Sequence, residues 1–168
     1  TSRIKDNALK KGVGIKIHKN SGIRIQGIPN QIKSCNYLSN ILLREKAIKE
    51  GCFETILLDS NNNITEGTFT NIFIIKNKKL LTPIVNEFVL NGITRQAILD
   101  ICQENNIPYK EDILKEKNLY EADEIFLTNS GIEILPVVSI NHCKLKNIIP
   151  GPITKRIRLL LLKSFDQY

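Results

Sequence analysis

The 168-residue chain is long enough for one domain with a substantial core, and its 42 % hydrophobic content excludes wholesale disorder. The net charge of +7 comes from 24 basic and 17 acidic residues scattered along the chain, without a basic stripe interleaved with aromatics, so no nucleic-acid partner is expected; an anionic small molecule would profit from the same excess. No apolar run nears the roughly 18 residues of a membrane span, Leu159 to Leu162 being among the longest, so no membrane partner is expected either. The cysteines at 35, 52, 102 and 143 form no CxxC pair, and His18 and His142 stand far apart, which argues against a zinc site and a disulfide framework and for reduced thiols in the cytoplasm.

Taken in chain order, a short polar helix is predicted around Ile4 to Lys11, then two short strands on Val13, Ile15, Ile17 and on Ile23, Ile25. "GIPNQIKS" (27–34) reads as a loop. Apolar residues at Leu38, Ile41, Leu42, Ala47 and Ile48 predict an amphipathic helix over 37–50, with Gly51 at its C′ position. "CFETILLD" (52–59), "ITEGTFTNIFIIK" (64–76) and "LLTPI" (80–84) read as three strands of an antiparallel meander, the last two joined at "NKK" (77–79). A loop (86–92) leads to a helix over 93–106 with Ile98, Leu99, Ile101 and Cys102 on one side. A strand (107–114), a short helix (115–121) and a strand (123–130) follow. Another strand spans 132–140, where Pro136 predicts an edge or a bend. A last helix covers 150–165, with Pro152 near its first turn. The whole is a mixed α/β chain with mostly antiparallel strands.

Familiar nucleotide and hydrolase motifs are absent. Two places suit an anion. In "NGITRQ" (91–96) a glycine precedes a helix start, leaving the amides of Ile93 and Thr94 without helical acceptors, and the Thr94 hydroxyl adds a donor. In "LTNSGI" (127–132) a strand ends in small donors and turn formers that can make an amide concavity. Taken alone, the first is an ordinary helix start and the second an ordinary polar turn. Glu66, inside the second strand, is a carboxylate in need of a partner. Lys33 sits at a junction between a Gly/Pro loop and a helix, where a side chain can be aimed into a cleft, although most of the lysines must be surface residues.

Together these pieces form a pattern. "IKSCNYLSNILLREKAIKEG", "ETILLDSNNNITEGTFTNIFIIK", "LNGITRQAILD" and "ADEIFLTNSGIEILPV" follow one another as in the class IV aminotransferases, the fold-type IV pyridoxal-phosphate enzymes, from about residue 8 to the C-terminus. The resemblance implies an α/β (α+β) large domain with a mostly antiparallel pseudo-barrel sheet and flanking helices. It implies pyridoxal 5′-phosphate as cofactor. Lys33 falls on the lysine that forms an imine with it, Glu66 on the carboxylate paired with the ring nitrogen, and Leu90 on an apolar residue beside the ring. Ile93 and Thr94 fall on phosphate-binding positions, and Asn129 and Ser130 on a second phosphate-binding turn.

Within the family, the short spacing from Lys33 to Asn36 and the "LTNS" turn are most similar to 4-amino-4-deoxychorismate lyases. The implied reaction yields 4-aminobenzoate and pyruvate, toward folate. The alternative is an aminotransferase acting on branched-chain or D-amino acids, and a further one a non-catalytic family fragment, against which the presence of both Lys33 and Glu66 speaks. The partner implied is a small amino-acid-like or aminochorismate substrate, and by resemblance a second copy in a homodimer. The family carries a smaller N-terminal domain that these residues do not match. The chain starts at Thr1 and contains no methionine, so residues 1–168 are expected to be the C-terminal cofactor-binding domain of something longer, poorly active alone.

Overall fold

The computed structural model describes residues 6–19, 36–145 and 150–165. The expected strand at Ile23 and Ile25, the loop over 27–34 and Lys33 lie outside the described residues. Helix α1 (Asp6–Lys11) leads into β1 (Val13–His18), and α2 (Leu38–Lys49) into β2 (Glu54–Leu58). Then come β3 (Ile64–Gly67), β4 (Asn71–Lys76), β5 (Lys79–Pro83) and α3 (Ile93–Glu104). The chain continues through β6 (Tyr109–Asp112), α4 (Glu116–Tyr120), β7 (Glu124–Asn129), β8 (Glu133–Ile140), β9 (Cys143–Lys144) and α5 (Pro152–Phe165).

The period-two geometry of a strand explains how one sheet serves two cores. On β4, Ile72 and Ile74 enter one cluster with Ile15, Ile56, Leu58 and Leu135. Phe73 and Ile75 point the other way, to Ile98 and Cys102 of α3 and Ile157 and Leu161 of α5. β7 repeats this with Leu127 on the first side and Phe126 on the second, where the Phe126 and Phe73 rings stack at 5.0 Å. Strands buried on both faces carry near-continuous apolar runs, which is why these segments read so clearly as strands. Along the sheet the order is β3-β2-β1-β8-β7-β4-β5-β6, with β9 paired to β8. The pairs β1–β2, β1–β8 and β5–β6 are parallel and the others antiparallel. β3, at one edge, lies against β4 and β5 near the other, so the sheet curls on itself with helices flanking it. Among the described residues no helix is long and apolar enough to cross a membrane.

Three expectations need correction. The single strand over 64–76 is two, β3 and β4, separated at residues 68–70; β4 pairs with β7 rather than β3, which breaks the meander. The cause is a distant carboxylate, described below. Pro136 is not on an edge strand, because β8 lies between β1 and β7. It faces Phe126 of β7, and the ladder to β1 begins one residue later at Val137, with a register shift just beyond that agrees with the expected alternative of a bend. The missing N–H costs no rung to β1, whose ladder starts beyond it.

Helix α2 is placed as expected, and Gly51 follows it at φ +77°, a left-handed conformation that suits glycine. Its orientation is the reverse of the expected one. Leu38, Ile41, Leu42 and Ile48 are exposed, and only Ala47 is fully buried. The face turned to the sheet is instead Asn40, Leu43, Arg44 and Ala47. Asn40 Nδ2 donates to the Thr68 carbonyl at 2.8 Å, Thr55 Oγ1 donates to the Leu43 carbonyl at 3.2 Å, and the Arg44 guanidinium lies over the Phe53 and Phe69 rings at 5.3 and 5.0 Å. These directional contacts outweigh the hydrophobic stripe.

Burial sets the reactivity of the free thiols. Cys52 and Cys102 are buried and Cys143 is exposed. Burial raises the Cys52 thiol and pushes Cys102 up to about 12, only partly opposed by Arg156. Because the thiolate is the nucleophile, an aromatic disulfide reagent at neutral pH should modify Cys143 promptly and reach Cys52 and Cys102 only on unfolding. Peptide mapping by mass spectrometry reads this out; fast labelling of Cys102 in the native chain would contradict it.

Candidate active site

A cavity of about 500 Å³ opens where the β3–β4 turn, the loop before α3 and the end of β7 meet. Three local arrangements build its walls.

The first is the turn over Gly67–Thr70. Glu54, at the start of β2, is fully buried. Its Oε1 accepts from the amides of Thr55 (2.8 Å) and Thr68 (3.2 Å) and from the Thr68 hydroxyl. Its Oε2 accepts from the Phe69 amide (3.2 Å) and the Thr70 hydroxyl (3.1 Å). A buried carboxylate is tolerated only when so paired, and gathering these donors is what turns the chain between β3 and β4. The donors of the turn are thereby spent on Glu54, and the turn offers the cavity chiefly the Phe69 ring, stacked on Tyr37 at 5.4 Å.

The second is the loop that delivers α3. The N-cap is Gly92, in an extended conformation, with no side-chain cap. A Cβ there would meet Asn71 Oδ1 at 2.3 Å, so any side chain at 92 would push the Asn71 amide aside. The Asn71 Nδ2 donates to the Leu90 carbonyl at 2.9 Å, and the Leu90 amide donates to Glu66 Oε2 at 2.8 Å. From behind, the buried Arg95 donates to Asn91 Oδ1 (3.0 Å), to the Pro83 carbonyl (3.0 Å) and to Glu111. The helix start thus presents its first amides to the cavity with its positive dipole end forward.

The third is the turn after β7. Asn129 Oδ1 accepts from the amides of Gly131 (2.8 Å) and Ile132 (2.9 Å), and its Nδ2 donates to the Phe69 carbonyl (3.1 Å). This modifies the expected amide concavity: the Gly131 and Ile132 amides bond to Asn129, and the hydroxyl of exposed Ser130 is the turn's available donor.

Glu66, Leu90, Ile93, Thr94, Asn129 and Ser130, drawn from three separate segments, all line this one cavity; Lys33 is outside the described residues. Ile93 turns its side chain to solvent, 86 % exposed, so its contribution is its backbone. No described lysine or arginine lines the cavity, so its attraction for an anion comes from the helix end and hydroxyls. Among the described residues no cluster could hold a metal ion.

The sequence reading did not single out Glu54, Asn71 or Arg95. For Arg95 a signal existed: a cation in the first turn of a helix opposes the dipole and calls for a special partner. For Glu54 and Asn71 the decisive partners, Thr68 and Leu90, are 14 and 19 residues away, and nothing local marks them.

The family described as amino-transferase class IV matches residues 3–140. A D-alanine aminotransferase of Bacillus licheniformis is 38 % identical over 133 residues, which is 79 % of this chain and 47 % of that protein. A crystal structure of the branched-chain amino acid aminotransferase of Thermobaculum terrenum in its PLP form superposes with a TM-score of 0.85 at 27 % identity, over 96 % of this chain and 53 % of that one. A structure from Legionella pneumophila, described as a putative 4-amino-4-deoxychorismate lyase, superposes with a TM-score of 0.79 at 29 % identity, over 92 % and 57 %. The chain spans about half the length of the curated relatives it matches.

Proposed function

This chain belongs to the amino-transferase class IV family, and we propose that its cavity holds pyridoxal 5′-phosphate and serves the transfer of an amino group from a small amino acid to a keto-acid. The observation that carries this reading is that Glu66 and the uncapped start of α3 line the same cavity. A carboxylate suits a protonated ring nitrogen, and a helix end with unused amides suits a phosphate dianion, so the donor set fits the group. When bound, the cofactor supplies an electron sink for the amine-bearing carbon of the substrate.

The residues divide the work by their chemistry. Glu66 would accept a ring N–H of the cofactor, and its carboxylate is already aimed by the Leu90 amide. Leu90 would offer an apolar side chain to the ring. The amides of Ile93 and Thr94, with the Thr94 hydroxyl, would hold the phosphate, and Ser130 would add a donor from a turn shaped by Asn129. Lys33 would be the cofactor-binding lysine, and its amine would move the proton of the amine-bearing carbon once its surroundings lower its basicity.

The spacing at Lys33 favours a lyase, and the Legionella structure supports that as a second reading. Transamination is the better supported, because the relatives of higher identity are named as amino-acid aminotransferases. We place the chain as the cofactor-binding part of a longer fold and pair it with a second copy, a reading supported by the exposed apolar face of α2.

The test is a pair of assays with added pyridoxal 5′-phosphate. Keto-acid-dependent deamination of D-alanine or leucine, abolished by Lys33→Ala, is expected. Pyruvate release from aminodeoxychorismate without a keto-acid would favour the lyase instead, and a visible cofactor band untouched by Lys33→Ala would refute the site.

A further inference from the structure

Asn71 links two parts of the site that the proposed cofactor reading requires to stay in register, Glu66 and the loop that starts α3. It is buried at the first position of β4, facing Thr128 of β7, so its backbone is fixed by the central ladder. One edge of its amide faces two acceptors: Nδ2 donates to the Leu90 carbonyl at 2.9 Å and lies 3.5 Å from Glu66 Oε2. The other edge, Oδ1, fills the space that a side chain at Gly92 would occupy, 2.3 Å from an ideal Cβ. The Leu90 amide in turn donates to Glu66 at 2.8 Å. The peptide groups of Leu90 are therefore held on one side by Glu66 and on the other by Asn71, and the N-cap of α3 rests on the same side chain.

We propose that Asn71 is a positioning residue that fixes the Glu66 carboxylate and the phosphate-facing end of α3 at one separation, so that a single ligand meets both. A neutral group with a donor on the edge that faces Leu90 and Glu66, and no bulk beyond the space beside Gly92, satisfies its neighbours. Aspartate keeps the shape and loses the donor, placing a second carboxylate against Glu66 and the Leu90 carbonyl. Alanine leaves both Leu90 and the Gly92 cradle unsupported. The inference rests on the cofactor reading for its purpose, but the bracket itself concerns the chain without ligand.

The experiment has one arm for each. In the ligand-free chain, amide hydrogen exchange at Leu90 is measured for the unsubstituted protein, Asn71→Ala and Asn71→Asp. Exchange at least about tenfold faster in both variants is expected, as for loss of a hydrogen bond to a charged group; unchanged protection overturns the proposal. Pyridoxal 5′-phosphate is then titrated by its visible absorbance. Asn71→Asp is expected to weaken binding about tenfold or more, and to add little in a Glu66→Gln background, because its effect passes through Glu66. Losses that simply add in the double variant mean general destabilisation and overturn the proposal. If Asn71 variants fail to fold, Gly92→Ala, which pushes the same side chain from the other edge, must give the same two results or the proposal fails. Absence of cofactor binding by the unsubstituted chain sinks the cofactor reading alone, and the exchange arm still decides the bracket.

Discussion

Glu66→Gln will lower turnover by about 10²- to 10³-fold, the scale on which one preorganised electrostatic contact acts on a reaction. Glutamine keeps the shape of the side chain and an oxygen for the Leu90 amide, whose bond to Glu66 measures 2.8 Å. What it removes is the negative charge that, in the proposed role, would keep a ring nitrogen protonated and sustain the electron demand of the ring. Folding stability should fall by only about 1 kcal/mol, because the Leu90 bond changes from charge-assisted to neutral. Steady-state kinetics with amino donor and keto-acid, run beside thermal unfolding, separate the two effects. A loss of less than about fivefold in turnover, against the 10²-fold scale of such contacts, would remove Glu66 from the role given to it. Glu66→Asp, which keeps the charge but withdraws it from Leu90, should fall between the two.

Glu54→Gln should be among the most destabilising single substitutions on this chain, at about 3 kcal/mol. The carboxylate accepts from three backbone amides and two hydroxyls while wholly buried. A glutamine amide in its place turns an NH₂ toward donors at Thr68 or at Phe69 and Thr70, leaving buried donors without acceptors, each at about 1–3 kcal/mol. For a chain of this size that corresponds to a fall of roughly 6–12 °C in Tm. Urea and thermal unfolding check it, and a change under about 2 °C, less than 1 kcal/mol at this size, would show that the turn does not depend on the carboxylate. Because the turn walls the cavity, cofactor affinity should fall with it.

The same two residues mark the boundary of what could be read in advance. Helix α3 was legible because periodic apolar residues, Ile98, Leu99 and Cys102, fall on one face, and α5 was read as a helix with Pro152 near its first turn. The strands of the central ladder were legible because both their faces are buried. The break between β3 and β4 was not, since it is imposed by Glu54 from another strand. The orientation of α2 was not, since pattern alone ranks Leu38 and Ile41 above Arg44, and that order is reversed by the rings of Phe53 and Phe69 and the bonds to Thr68 and Thr55. At the site, Glu66, Thr94 and Ser130 read singly as a stray carboxylate, a helix start and a polar turn. Their order along the chain revealed the family, and the curl of the sheet put them in one cavity. Asn71 carries no local mark at all, because its meaning lies in what it holds.

The bare N-cap of α3 has a consequence for how binding and folding are linked. A side-chain cap is worth about 1 kcal/mol to a helix, and at Gly92 that contribution is left for an anionic ligand to supply. Any ligand that caps the helix resists fraying of its first turn, and by reciprocity any substitution that frays the turn weakens the ligand by the same factor. Exposed positions of α3 such as Gln96 and Asp100, joined at 2.9 Å on the outer face, become modest regulators of affinity without touching the cavity.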